Sequence, residues 1–226
     1  MTLIDRVCTA YRRRGAAGLC KHLATRCVQS IVPRIFQAHD ELVFVRNLTS
    51  RPDYRPTLGL TITPLQPTEL AELEAFITRS NVSPGLALQR LRFSLQRGYG
   101  ALLARYEGGI IGYGWWASTE SAPHPQAQLH SLHLHKHEAF VFDLFIDPAL
   151  RKRQAGLEFL IQSEQHGFAR GYRTVYSIIL KDNRRSSWVH HLAGWHHWEP
   201  HRRVSVFLSA IIHQGQRWQR YDRRWF

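Results

Sequence analysis

The chain of 226 residues reads as an α+β fold built on a mostly antiparallel sheet flanked by helices, and three observations carry that reading. Strand-length apolar runs alternate with helical periodicity from residue 41 onward. A hairpin joins YGALLARYE to IIGYGWWAS at Gly108 and Gly109, both of which can take positive φ. A single strand-helix-strand crossover runs from AFVFDLFI to TVYSIIL, which makes one parallel pair inside an otherwise antiparallel order.

In chain order, LVFVRNL and LGLTIT read as extended, and PTELAELEAFITR as a helix with Thr68 at its N-cap. A second helix covers about Gly85 to Gln96, followed by the two hairpin strands and by AFVFDLFI, residues 139–146. The next helix runs from about Lys152 to Arg170, where Gly171 ends it. TVYSIIL is a strand, RSSWVHHLA a short helix, and RVSVFLSAII a late strand.

Residues 1–40 stand apart as a basic amphipathic helical extension, and residues 41–226 form the main domain with a basic aromatic tail. The extension carries seven Lys/Arg against two Asp, with Leu3, Ile4, Val7, Cys8 and Tyr11 recurring at helical spacing. Such a helix lies on an anionic membrane face or packs on its own domain or on a partner, and the sequence leaves both open. The tail interleaves Arg217, Arg220, Arg223 and Arg224 with Trp218, Tyr221, Trp225 and Phe226, a combination favoured at membrane interfaces and in strips that bind nucleic acid.

A hydrophobic content of 44% supports a proper core, and a formal charge of +13 with a pI near 10.4 attracts polyanions of any kind. No helix-turn-helix, zinc-finger or RNA-binding signature accompanies that charge, which argues against nucleic acid as the partner. Cys8, Cys20 and Cys27 form neither a disulfide framework nor a CxxC site, so a reducing cytosol fits best. No apolar run approaches the roughly 20 residues of a membrane span, and Arg12, Arg13, Arg14 and Lys21 interrupt any signal-peptide core. A cytoplasmic protein, in peripheral contact with the inner membrane face through its two ends, is the expectation.

The segment FIDPALRKRQAGLEFLIQ carries the chemistry. A strand ending at Asp147 and Pro148 empties into a basic turn and then a helix, whose first amides and positive dipole end suit an anionic phosphate ester. Here the chain resembles the GCN5-related N-acetyltransferase (GNAT) superfamily, whose signature is a Q/R-x-x-G-x-G/A turn directly after an apolar strand. Arg151, Lys152, Arg153, Gln154, Ala155 and Gly156 occupy that turn, with Gln154 where a glycine is usual. Gln adds bulk and fits only if its φ stays helical. Asn183 after TVYSIIL, and Gly194 with Trp195 after the next helix, extend the likeness over roughly residues 41–212.

The resemblance implies a GNAT-like mixed sheet of six to seven strands and acyl-CoA-dependent N-acyl transfer, acetyl-CoA being the co-substrate, with no metal. It implies that the strand before the turn splays from its neighbour, so that main-chain groups at Leu144, Phe145 and Ile146 hold pantetheine and polarise the thioester. Residues 151–156 take the phosphates, and Asn183 and Ser186 complete the cofactor-binding set. The family's usual tyrosine, a general acid toward the departing thiolate, is His190 here.

Two acids lie on AFVFDLFI or at its start. Strict alternation puts Glu138, Phe140, Phe142 and Leu144 on one face and Val141, Asp143 and Phe145 on the other. An acid within an apolar strand acquires a raised pKa suited to base catalysis, so Asp143 is the first candidate for general base and Glu138 the second; a salt bridge to one of the many arginines is the plain alternative. His130, His133, His135 and His137 suggest a metal site by their spacing, but no Cys or carboxylate pattern completes it, and an acceptor-side loop is favoured. Trp115, Trp116, Trp188, Trp195 and Trp198 read as core or groove wall, with stacking on an amino sugar as a second use.

The expected acceptor is an amine of a small molecule, an amino sugar or a lipid-linked glycan precursor. Gln154 and His190 motivate the alternative, a degenerate member of the same fold that binds an anionic ligand or nucleic acid without catalysis. An oligomer is compatible with the sequence.

Overall fold

The computed structural model describes residues 36–48, 56–151, 154–207, 211–214 and 217–220. Residues 1–35 and the tail beyond Arg220 lie outside the described residues, and with them most of the helical extension and of the basic aromatic end; residues 36–40, expected to belong to that extension, are strand instead. The chain divides into two compact units, residues 40–202 and residues 1–39 with 203–224.

The elements are β1 (Phe36–Asn47), β2 (Thr61–Pro64), α1 (Leu70–Ser80), α2 (Pro84–Gln96), β3 (Gly100–Tyr106), β4 (Gly109–Ala117), α3 (Pro125–Leu129), β5 (Glu138–Ile146), α4 (Ala155–Ala169), β6 (Thr174–Leu180), α5 (Arg184–Leu192), β7 (His196–Phe207), β8 (Ile211–Gln214) and β9 (Arg217–Arg220). In the 40–202 unit the strand order is β2-β3-β4-β5-β6-β1, with the first half of β7 after β1. The β5-β6 pair is parallel and the β2-β3, β3-β4, β4-β5 and β1-β6 pairs are antiparallel, the mixed sheet that the crossover requires. In the other unit β8 pairs antiparallel with the end of β7 and with β9. The segment read as one late strand is therefore two, β7 ending at Phe207 and β8 starting at Ile211.

Local chemistry explains the boundaries. Before α1 a 3-10 turn, Pro67–Glu69, is closed by a capping box in which Glu69 accepts the Gln66 N–H at 2.8 Å, so Gln66 rather than Thr68 caps this segment. The hairpin turn places Glu107 at φ +50° and Gly108 at φ +82°, while Gly109 already belongs to β4. Gly171, at φ +93°, closes α4 as expected.

Two apolar layers cover the sheet. On one face α1, α2 and α3 bring Leu73, Phe76, Ile77, Leu91 and Ala127 against Tyr113, Trp115, Phe140 and Phe142. On the other, α4 supplies Phe159 and Leu160 to Val141, Ile146, Val175 and Trp195. Two buried acids of α4 tie this face together. Glu158 accepts the N–H groups of Thr57, Leu58 and Leu60 at 2.9, 2.8 and 2.7 Å, and these bonds outweigh burial to hold its pKa below the usual value. Glu164 accepts the Trp195 indole N–H at 2.6 Å and lies 3.5 Å from Arg46 Nε; burial pushes its pKa up to about 7 against both partners.

The irregularity that matters lies in β5. Tyr113 pairs with Phe145 and Trp115 with Phe142, so Gly114 alone faces two residues, Asp143 and Leu144. Asp143 takes φ +48° to make this bulge. Strict alternation therefore fails at Asp143: Phe140, Phe142 and Phe145 share the layer of α1 and α2, whereas Leu144 joins Val141 and Ile146 under α4. Gly112 and Gly114 seat the bulged strand, since a Cβ on Gly112 would meet Ile146 Cδ1 and come within 2.6 Å of the Phe145 carbonyl oxygen, and one on Gly114 would meet the tip of Leu144.

Because the obstruction at Gly112 includes backbone, Gly112→Ala is expected to destabilise the fold by roughly 1–3 kcal/mol, the usual range for overpacking. Gly114→Ala meets mainly a mobile side-chain end and should lose less. Urea denaturation of the two variants checks the order, and equal midpoints would contradict it.

Candidate active site

β5 and β6 pair only where Glu138, Ala139 and Phe140 meet Thr174, Val175 and Tyr176. Beyond Phe140 they separate, while β6 stays paired with β1 to Leu180 and β5 with β4 to Ile146. The Asp147 N–H donates across to Ile111 O at 2.8 Å on the β4 side. A trans peptide points its C=O opposite to its N–H, and one strand residue turns both groups to the same edge, so Ile146 and, two residues back, Leu144 present main-chain groups to the gap. This is the splay expected from the resemblance.

The gap opens toward the N-termini of α4 and α5, which follow β5 and β6. At α4, Gln154 stands in the N-cap position at φ +63°, and its side chain does not cap the first amides of this 15-residue helix. The expectation that Gln154 must keep a helical φ is thus corrected: it adopts the left-handed conformation for which glycine is favoured. A Cβ on Gly156 would meet nothing within 4 Å, and Ala155 is fully buried, so the outward side of this first turn is open. An open approach, a helix start without a cap from Gln154 and the helix dipole fit the pyrophosphate of coenzyme A.

Arg151 is drawn back onto β5. Its Nε–H donates to Ile146 O at 2.9 Å and its guanidinium lies 5.3 Å from the Phe145 ring centroid, so it fastens the turn and occupies one of the two main-chain groups that Ile146 offers. Lys152 and Arg153 lie outside the described residues. Asn183 caps α5, its side-chain oxygen accepting the Ser186 N–H at 3.2 Å, which places both residues across the gap from α4 while committing that oxygen.

The candidate acids separate. Glu138 accepts the His135 N–H at 2.9 Å and the Tyr176 hydroxyl at 3.1 Å, which fixes the entry into β5. Five residues from Asp143 along a strand, it is about 16 Å from the bulge, and its role as second candidate base is withdrawn. Asp143 instead lines a pocket of about 200 Å³ with Arg90, Tyr113, Phe145 and the loop Asn81–Ser83 between α1 and α2. Its carboxylate lies 3.8 Å from Arg90 Nη1 and keeps 23% side-chain exposure on the pocket side. Burial pushes its pKa up, and Arg90 offsets only part of that rise. Tyr113 stacks on Phe145 with centroids 5.6 Å apart, and burial, reinforced by the Asp143 charge, raises its pKa so that it stays a neutral phenol.

His190 is buried beside Phe44 and Trp195. Its Nδ1 lies 2.9 Å from Ser186 O, and a carbonyl only accepts, so the proton sits on Nδ1. Burial brings its pKa down to about 4, which leaves Nε2 without a proton at neutral pH. The role expected of His190 as proton donor to the thiolate does not fit this state. Among the other histidines, His130 is buried with Nε2 2.6 Å from Glu41 Oε2, while His133, His135 and His137 lie exposed in the loop before β5. Among the described residues no tryptophan lines the Asp143 pocket: Trp115, Trp116 and Trp195 are buried, and Trp188 and Trp198 are exposed outside it. That removes the indole-wall argument for a sugar. Arg90, Tyr113 and Gly112 went unnoticed in the sequence; the alternate glycines of IIGYGWW were the one available signal.

The profile of the acetyltransferase (GNAT) family matches residues 68–195, more than half of the chain, and the chain belongs to that family. No curated protein sequence matches it. Among solved structures it is similar to a GCN5-related N-acetyltransferase from Sphaerobacter thermophilus, with 14% identity and a TM-score of 0.52, covering 82% of this chain and 56% of that one. It is similar also to a GNAT-family acetyltransferase from Colwellia psychrerythraea, at 13% identity and a TM-score of 0.55, over 78% and 59% of the two chains. A conserved protein from Staphylococcus epidermidis shares 8% identity and a TM-score of 0.56 over 80% and 65%. The chain thus spans little more than half to about two thirds of the length of these structures.

The left-handed Gln154 provides a direct test of the turn. Gln154→Gly is expected to raise stability by up to about 1 kcal/mol through relief of the φ penalty, and Gln154→Val to lower it by more. Thermal unfolding of both variants reads the difference, and a Gly variant less stable than the parent would contradict the assigned conformation.

Proposed function

We propose that the chain transfers an acetyl group from acetyl-CoA to a primary amine of a small molecule, with Asp143 as general base. The observation that carries this reading is the bulge itself. It turns the main chain of Leu144 into the β5-β6 gap and the side chain of the preceding residue, Asp143, into the pocket under α1 and α2. Donor and acceptor sites are thereby adjacent through a single peptide link.

Acetyl-CoA supplies the acetyl group as a thioester: the amine nitrogen bonds to the carbonyl carbon as the carbon-sulfur bond breaks, the amine gives up one proton and the thiolate takes up one. The amides of Gln154, Ala155 and Gly156 hold the phosphates, and the Leu144 and Ile146 main chain orients the pantetheine arm. Asp143 takes the proton from the attacking amine. Its raised pKa makes it a better base than a solvated carboxylate and still leaves it ionised once the pH exceeds that value. Tyr113, Phe145 and Leu86 restrict water around the reacting nitrogen. Peripheral contact with an anionic membrane is supported by the net charge of +13 and the composition of the two chain ends. Among the described residues no helix is long and apolar enough to cross a membrane.

Asp143→Asn is expected to reduce kcat by about 10²- to 10⁴-fold, the usual range for loss of a general base. It should also abolish the acidic limb of the pH-rate profile, which in the parent enzyme lies above the ordinary carboxylate range. The same variant should be more stable than the parent at neutral pH. A carboxyl that binds its proton more tightly when folded costs stability once pH rises above its unfolded value, so the gain vanishes below that value. Steady-state kinetics from acid to neutral pH, with unfolding curves at both ends, read these signs. An acidic limb that persists in Asp143→Asn would remove this residue from the mechanism.

A further inference from the structure

The acceptor pocket holds one cation as well as one anion, and the cation is held to the anion by charge alone, without a hydrogen bond between them. Arg90, on α2, lines the pocket beside Asp143. Its nearest approach to that carboxylate is 3.8 Å, a charge contact too long for a hydrogen bond. No hydrogen bond from the Arg90 guanidinium to another described residue is formed, and its Nε is buried without a partner. Asn81, on the loop that closes the same pocket, carries its Nδ2 beside the Tyr113 hydroxyl, a neutral contact that leaves Arg90 as the charged donor of the pocket. Buried donors left unpaired carry a desolvation cost that an incoming acceptor group relieves.

We infer that the acetylated amine belongs to a zwitterion of the amino-acid type, its carboxylate received by Arg90 while its amine faces Asp143. This rests on the transferase reading above and names its substrate class. Three features point the same way. The pocket sets a guanidinium next to a carboxylate, the charges of an amino acid reversed. Arg90 and Asp143 are close enough for one molecule to span both, since carboxylate and amine of an α-amino acid are separated by a single carbon. A volume of about 200 Å³ with Leu86, Ala87 and Phe145 in its wall suits a compact, partly apolar acceptor. The planar fork of a guanidinium is matched to a carboxylate, so a neutral amide in the same place would leave charged donors unsatisfied.

The experiment uses the full-length chain, acetyl-CoA, the common L-amino acids and the corresponding L-amino acid amides, with Arg90→Gln and Arg90→Lys as variants. Acetyl-CoA binding is followed separately by calorimetry. The expected result is acetylation of one or more amino acids with kcat/KM at least tenfold above the matching amides. Arg90→Gln should raise the amino-acid KM by about ten- to a hundredfold, leave acetyl-CoA affinity unchanged and erase the preference for acid over amide. Arg90→Lys should restore part of that preference, which a purely structural role of Arg90 would not produce. Equal use of acids and amides, acetylation of neutral amines alone, or bound acetyl-CoA with no amino acid acetylated would each overturn this inference and leave the transferase reading standing. Failure of the parent chain to bind acetyl-CoA would overturn both.

Discussion

The site depends on one backbone irregularity, the extra residue that β5 carries at Asp143. In a regular strand, β5 would remain free to pair with β6 along its length, and the side chain at 143 would point under α4 with Val141. The bulge ends that alternation, and at the same stretch the parallel pairing stops after Phe140. A left-handed φ at a non-glycine residue is unfavourable by about 1–2 kcal/mol, so the surrounding structure must hold it in place.

What holds it is packing from both faces and the neighbouring strand. Gly112 and Gly114 let Ile146 and Leu144 lie across β4, and Phe159 of α4 backs Leu144 from below. On the other face Phe145 is fixed between Tyr113, Phe76 and the Arg151 guanidinium, which also closes onto Ile146. α4 itself is anchored in its first turn by Glu158, which gathers the amides of the 57–60 loop, and further along by Glu164 with Trp195 and Arg46. The start of the helix is therefore held in place without a cap from the Gln154 side chain. Rigidity in the supports and unsatisfied polarity at the gap are two parts of one design.

Much of this was legible in the sequence because it is periodic or punctuated. Strand runs, the crossover, Gly171 and the hairpin glycine mark their elements through simple local rules, and the family turn coincides with the start of α4. What was not legible is what breaks a rule. Strict alternation assigned Leu144 to the wrong face, since a bulge needs no special residue type and Asp is tolerated at positive φ. A glutamine gave no sign that it would take a glycine conformation at 154, because tertiary contacts rather than its own preference decide that angle. Arg90 looked like any exposed helical arginine, and its position over Asp143 follows only from how α2 crosses the sheet. His190 lost its expected role through burial, which a sequence position alone does not report.

In the proposed reaction the β5-β6 gap beside Asp143 receives the acyl donor. A crystal structure of the protein with acetyl-CoA tests it most directly. The account predicts the pyrophosphate on the first amides of α4, the pantetheine arm along the Leu144 and Ile146 main chain, and the thioester carbon at the mouth of the pocket that holds Asp143 and Arg90. Coenzyme density elsewhere on the molecule, with β5 and β6 still parted and the gap empty, would contradict it.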